Sequence, residues 1–233
     1  MAEGHDMPSA RRTVFYRGPR PVLRGYLHLF AFWFFLGTGT SLTVLSFSNT
    51  GFSGLAVSTA VYALCLAGML GVSALYHRVP WKSEGSVQWW RRADHAMIAI
   101  FIAGTYGPVF VGADAPGNRA PILVLCWVTA LLAVAVNILW INHPRWLSVS
   151  IYLCLGWIAL LGMKILWAGL TVPELVLIIT GGAIYSLGAL VYALKWPTIS
   201  EHWFGFHEVF HAGTIIAAGL HHIAIWMIVL GAG

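Results

Sequence analysis

"GYLHLFAFWFFLGTGTSLTVLSFSNTGFSGLAVSTAVYALCLAGMLGVSALYH", residues 25–77, contains no Asp, Glu, Lys or Arg. A helix that crosses a bilayer needs roughly 20 predominantly apolar residues. This run is long enough for two, and it breaks at SNTGFSG (48–54), a cluster of turn-forming residues. Further uncharged runs occupy 95–113, 120–144, 146–163, 175–194 and 209–233. Together they predict seven spans, at about 25–47, 54–77, 93–113, 120–141, 146–168, 173–194 and 204–230. The runs are too long for barrel strands and do not alternate. The predicted class is therefore an all-α, polytopic membrane protein. The composition agrees: 59% of the 233 residues are hydrophobic and 9% charged, against about 25% charged in soluble domains.

Seven spans put the termini on opposite sides, and the basic residues choose the orientation. With the N-terminus in the cytoplasm, the inner segments hold Arg11, Arg12, Arg17, Arg20, Arg24, Arg78, Lys82, Arg91, Arg92, Arg145 and Lys195, leaving only Arg119 and Lys164 outside. Lys164 lies near the outer end of the fifth span, where its stem can snorkel. The expected orientation is N-terminus cytoplasmic, C-terminus outside, in a plasma (inner) membrane. The net charge of +5 is accounted for by loops beside anionic lipid, so no nucleic-acid partner is implied. Residues 1–24 have no signal-peptide core and are expected to form a flexible basic tail ahead of a membrane domain at 25–233. Cys65, Cys126 and Cys154 fall in spans without paired spacing, which suggests neither a disulfide framework nor a cysteine metal site. Gly181, Gly182 and Gly188 of the sixth span read as close helix packing.

Ionisable groups inside a membrane are costly and mark functional positions. Ser73 and His77 stand four apart at the inner end of the second span, hence on one face. Asp94 opens the third span, and His207 and His211, again four apart, open the seventh. All five belong to one layer near the inner surface, although nothing in the sequence makes these three helices neighbours. Three neutral imidazoles with an open fourth position form a catalytic zinc pattern. Asp94 would then be the base or hydrogen-bond partner of a water, and Ser73 a donor to that water or to the reacting oxygen. Taken singly, His77 also reads as an interfacial histidine, Asp94 as a dipole-favoured helix start and Ser73 as a backbone-bonded serine.

HEVFH (207–211) also spells H-E-x-x-H, the helix motif of zinc peptidases. In that reading Glu208 is the base and Asp94 a third ligand, leaving His77 unused. Among the other histidines, His28, His95, His143 and His202 sit near span ends, with His95 directed about 100° away from Asp94. His221 and His222 lie deeper in the last span, and His222 is about 16 Å of helix rise beyond His211.

SALYHR (73–78), DHAMIAIFIAGTYGP (94–108), YLCLGW (152–157), GGAIYSLGALVY (181–192) and FGFHEVFHAGTIIAAGLHH (204–222) together resemble the hemolysin III family, the bacterial branch of the progestin and adipoQ receptor superfamily. The resemblance implies seven helices around a zinc near the cytoplasmic face. It implies His77, His207 and His211 as ligands, with Asp94 and Ser73 beside the zinc-bound water. His222 stands where the family usually has an aromatic residue. The superfamily includes alkaline ceramidases, which hydrolyse a lipid amide. The resemblance therefore suggests a zinc-dependent hydrolase of a membrane lipid, with a role in membrane lipid homeostasis. Competing expectations are a pore-forming or cytolytic protein, as the family label suggests, and a receptor or sensor with structural zinc.

Overall fold

The computed structural model describes residues 14–140 and 142–233. Residues 1–13 of the expected tail lie outside the described residues. Among the described residues eight α-helices occur: α1 (Tyr26–Thr50), α2 (Gly54–Arg78), α3 (Glu84–Gly112), α4 (Ala120–Leu139), α5 (Arg145–Trp157), α6 (Met163–Gly169), α7 (Val172–Leu194) and α8 (Phe206–Gly231). A 3₁₀ segment (Ile158–Gly162) joins α5 to α6, so Arg145–Gly169 forms one span and the bundle has seven helical segments able to cross a membrane. Among the described residues there is no strand, only an isolated bridge between Ser200 and Phe204. The protein is an all-helical, polytopic membrane protein.

The SNTGFSG break is a turn with defined chemistry. Gly51 adopts φ 62°, in the region that favours glycine, and Ser53 caps α2 by accepting from the Ala56 N–H at 3.1 Å.

Two spans differ from their sequence-based outlines. α3 begins at Glu84 rather than near 93. Ser83 caps it by accepting from the Ser86 N–H, Glu84 lies in its first turn, and nothing between them and Arg92 breaks the helix. Asp94 therefore sits ten residues into a helix, not in its opening turn, and a helix-start role for its carboxylate is ruled out. The fifth span is interrupted because Tyr106 of α3 draws on its backbone. The Tyr106 hydroxyl lies 2.8 Å from the carbonyls of both Leu155 and Gly156 and accepts from the Ala159 N–H at 2.9 Å. These bonds satisfy backbone groups that the switch from α to the tighter 3₁₀ turn frees, as the interior of a membrane protein requires.

Small residues set how closely the helices approach. A Cβ on Gly104 would lie 2.9 Å from the Cys65 Cβ, and one on Gly107 2.8 Å from the Ser58 Cβ, so α3 packs tightly on α2. Gly188 of α7 faces Gly213 of α8, with a Cβ on Gly213 only 3.5 Å from the Gly188 Cα. Along one end of the bundle, the α2 terminus, the early turns of α3 and α8, and the segment before α1 meet. Residues 14–24 are tied to that end. Phe15 N–H donates to the Trp81 carbonyl, Val22 N–H to His202 and Leu23 N–H to Trp203.

Candidate metal centre

His77 ends α2, and His207 and His211 lie one turn apart at the start of α8. Their side chains converge. His207 Nε2 is 3.3 Å from His77 Nε2 and 2.8 Å from His211 Nε2. The three rings are packed with centroids 4.5–5.2 Å apart. A proton can bridge only one such pair of nitrogens, whereas a cation between them satisfies all three. Ligand nitrogens about 2.0–2.1 Å from a tetrahedral metal stand about 3.3 Å apart. The His77–His207 pair stands at that spacing and the His207–His211 pair somewhat closer, and these three residues could hold a metal ion. Asp94 is not part of this ligand group.

Ser73 and Asp94, 3% and 7% exposed, line a small cavity of about 30 Å³ together with His207 and His211. The structure thus brings all five sequence-predicted positions to one end of the bundle. His77 lines a separate cavity. A third cavity, of about 120 Å³, is almost wholly apolar and runs between α3, the fifth span, α7 and α8. It shares Met69, Ile98, Tyr152, Tyr185 and Thr214 with the small polar cavity, so the two adjoin.

A model of the haemolysin-III-related family matches residues 16–222, nearly the whole described membrane domain. The chain belongs to the haemolysin III family. The match spans Ser73, His77, Asp94, His207 and His211. Within the family, the chain is 28% identical to the hemolysin-3 homolog of Bacillus subtilis over 156 residues, covering 67% of this chain and 70% of the relative. It is 24% identical to hemolysin-3 of Bacillus cereus over 151 residues, covering 65% and 68%. Haemolysin III membership and seven apolar helical segments support a multi-pass protein of the plasma membrane.

Several residues that sequence reading set aside belong to the site. His28 is buried and stacks on His211, with ring centroids 3.9 Å apart, and both its ring nitrogens lack a hydrogen-bond partner among the described residues. His95 also lines the polar cavity. Its Nδ1 donates to the Arg91 carbonyl at 2.9 Å and lies 3.5 Å from an Asp94 oxygen. Neighbouring helix positions diverge by about 100°, but the bond to its own preceding turn folds the ring back toward Asp94. Its expected separation from Asp94 therefore does not hold. No local pattern signalled His28, because its place depends on which helices adjoin, whereas the turn of His95 toward Asp94 is made within α3.

Glu208 lies outside the cavities. It is ion-paired with Arg24, and its Oε2 accepts from the Gly205 N–H at 2.9 Å, capping α8. Its carboxylate is thereby occupied away from the imidazoles, which disfavours the H-E-x-x-H peptidase reading. His221 and His222 are hydrogen-bonded core residues. His221 Nε2 donates to the Ile178 carbonyl at 3.0 Å, over Gly181, where a Cβ would clash with the ring. His222 Nε2 accepts from the Trp226 indole N–H at 3.0 Å, which leaves Nδ1 to donate to the Tyr62 hydroxyl at 3.1 Å.

Proposed function

We propose that the protein is a zinc-dependent hydrolase of a membrane lipid, acting at an amide, with the site at the cytoplasmic end of an N-in, C-out bundle and a role in membrane lipid homeostasis. The observation that carries this reading is the convergence of three imidazole nitrogens beside a water-sized cavity that Ser73 and Asp94 line and that abuts an apolar one. His77, His207 and His211 would hold the zinc. When bound, zinc supplies Lewis acidity, polarising a carbonyl and making water a better nucleophile near neutral pH.

The chain's own groups supply the rest. The Asp94 carboxylate takes the proton of the attacking water and returns it to the leaving nitrogen. The Ser73 hydroxyl donates a hydrogen bond to the developing oxyanion or orients the water. The apolar cavity seats an acyl chain and keeps bulk water from the reacting bond. Tyr185 borders both cavities, and its buried hydroxyl has no hydrogen-bond partner among the described residues, so it is available to a ligand's polar group.

A second reading, a receptor or sensor in which zinc is structural, is favoured by the ligands' distribution: they clasp the end of α2 to the start of α8. Cytolysis, suggested by the relatives' names, has less support, since the cavity that runs between α3, the fifth span, α7 and α8 is apolar rather than a charged path.

The test is metal analysis of the purified protein, followed by assay of fatty-acid release from ceramide-like and acyl-amide lipids. The expected result is about one zinc per chain and turnover that Asp94→Asn abolishes. Zinc-loaded protein that releases no fatty acid from any such lipid overturns the hydrolase reading. Unfolding on zinc removal would favour the structural one.

A further inference from the structure

The cavity that has His77 in its wall differs in character from the other two. It measures about 440 Å³, is lined by Arg17, Arg20, Arg24 and Arg78, and has His77 in its wall. Three of the four guanidinium groups are already positioned. Arg17 donates to the Tyr76 carbonyl at 3.0 Å through both terminal nitrogens. Arg78 donates to the Tyr26 hydroxyl at 2.7 Å, its guanidinium 3.8 Å from the ring centre. Arg24 is ion-paired with Glu208. Arg20 makes no side-chain hydrogen bond among the described residues. Its pKa is lowered, first by partial desolvation and then by the neighbouring charges of Arg17 and Arg24.

Glu208 is the only carboxylate paired with this group among the described residues, and it neutralises one charge of four. Basic residues placed only to orient a membrane protein gain nothing by converging, because separate loops serve as well. Converging guanidinium groups repel unless an anion joins them. Their planar forks match the oxygens of a phosphate two at a time.

We propose that this vestibule is a binding site for a phosphate group, centred on Arg20 with Arg17 and Arg78 as flanking donors. The phosphate has two possible sources, a phospholipid headgroup at the membrane surface or a soluble phosphate. The proposal does not rest on hydrolase activity; it concerns binding in a cavity that shares no lining residue with the one beside Asp94.

Two binding arms distinguish the sources. In the first, the full-length protein in phosphatidylcholine nanodiscs is titrated with inorganic phosphate at constant ionic strength, read by calorimetry. In the second, detergent-solubilised protein is offered phosphatidylglycerol or phosphatidylcholine, and retained lipid is counted by native mass spectrometry. Saturable binding in either arm, weakened at least about tenfold by both Arg20→Gln and Arg17→Gln but not by Lys195→Gln, supports the site. The responding arm names the source. Arg20 is exposed and carries no structural bond, so Arg20→Gln keeps the fold even if Arg17→Gln does not. No binding in either arm, binding unchanged in Arg20→Gln, or an equal loss in Lys195→Gln overturns the proposal, the last by showing only a diffuse positive field.

Discussion

Arg24, in the segment before α1, is ion-paired with Glu208 in the first turn of α8, 184 residues later in the chain. The pair ties the segment before α1 to the first turn of α8, and it gives the acid of HEVFH a mechanical role. Glu208→Gln keeps the side chain's shape and its bond to the Gly205 N–H but removes the ion pair. Loss of one charged hydrogen bond at a mostly buried site costs about 1–3 kcal/mol. The expected outcome is a lower Tm with metal content unchanged and hydrolytic turnover within a few-fold of wild type. Abolished turnover at unchanged Tm would restore the peptidase-like role for this acid.

The ligand and base positions separate by readout. His207→Ala/His211→Ala should lose bound metal altogether. Asp94→Asn should keep its metal and lose turnover by about 10²–10⁴-fold, the range of a general base. Metal analysis beside the lipid assay checks both, and Asp94→Asn protein without metal would move Asp94 into the ligand set.

His28 stacks on His211 and so limits how that ring can turn. Groups that orient a ligand are worth about 10–100-fold in metal affinity. His28→Ala should weaken metal binding by about tenfold, and His28→Phe, which keeps an aromatic ring in place, should restore most of it. Competition with a chelator measures the difference. Equal affinity in wild type and His28→Ala would mean the stacking has no such effect.

Gly25 lies at φ 81°, and a Cβ there would stand 2.6 Å from the His77 Cβ. Gly25→Ala combines a left-handed backbone, costing about 1–2 kcal/mol for other residues, with a push on a proposed metal ligand. Both Tm and metal affinity should fall. A variant with wild-type metal affinity would show that the segment before α1 yields without moving His77.

The acyl-chain assignment is tested at Gly182, which lines the apolar cavity where a Cβ would meet nothing closer than Trp157 at 3.8 Å. Gly182→Leu should fill part of the cavity, raising KM for long-chain amides while sparing short-chain ones. A uniform change across chain lengths would place the acyl chain elsewhere.

The sequence by itself determined the seven spans, since crossing a bilayer demands long uncharged helices and the demand is local to each segment. It also fixed the pairs Ser73/His77 and His207/His211 on single faces, because helix periodicity does so without any partner. Tertiary structure decided what no segment carries alone. It made α2, α3 and α8 neighbours, which turned three separated histidines into one cluster. It brought His28 against His211, engaged Glu208 with Arg24 and broke the fifth span over Tyr106. The physical reason is that lipid is as apolar as the helix faces it surrounds. Hydropathy therefore says that a helix is in the membrane, while its neighbours are chosen by close packing at glycines and by a few polar contacts between distant parts of the chain.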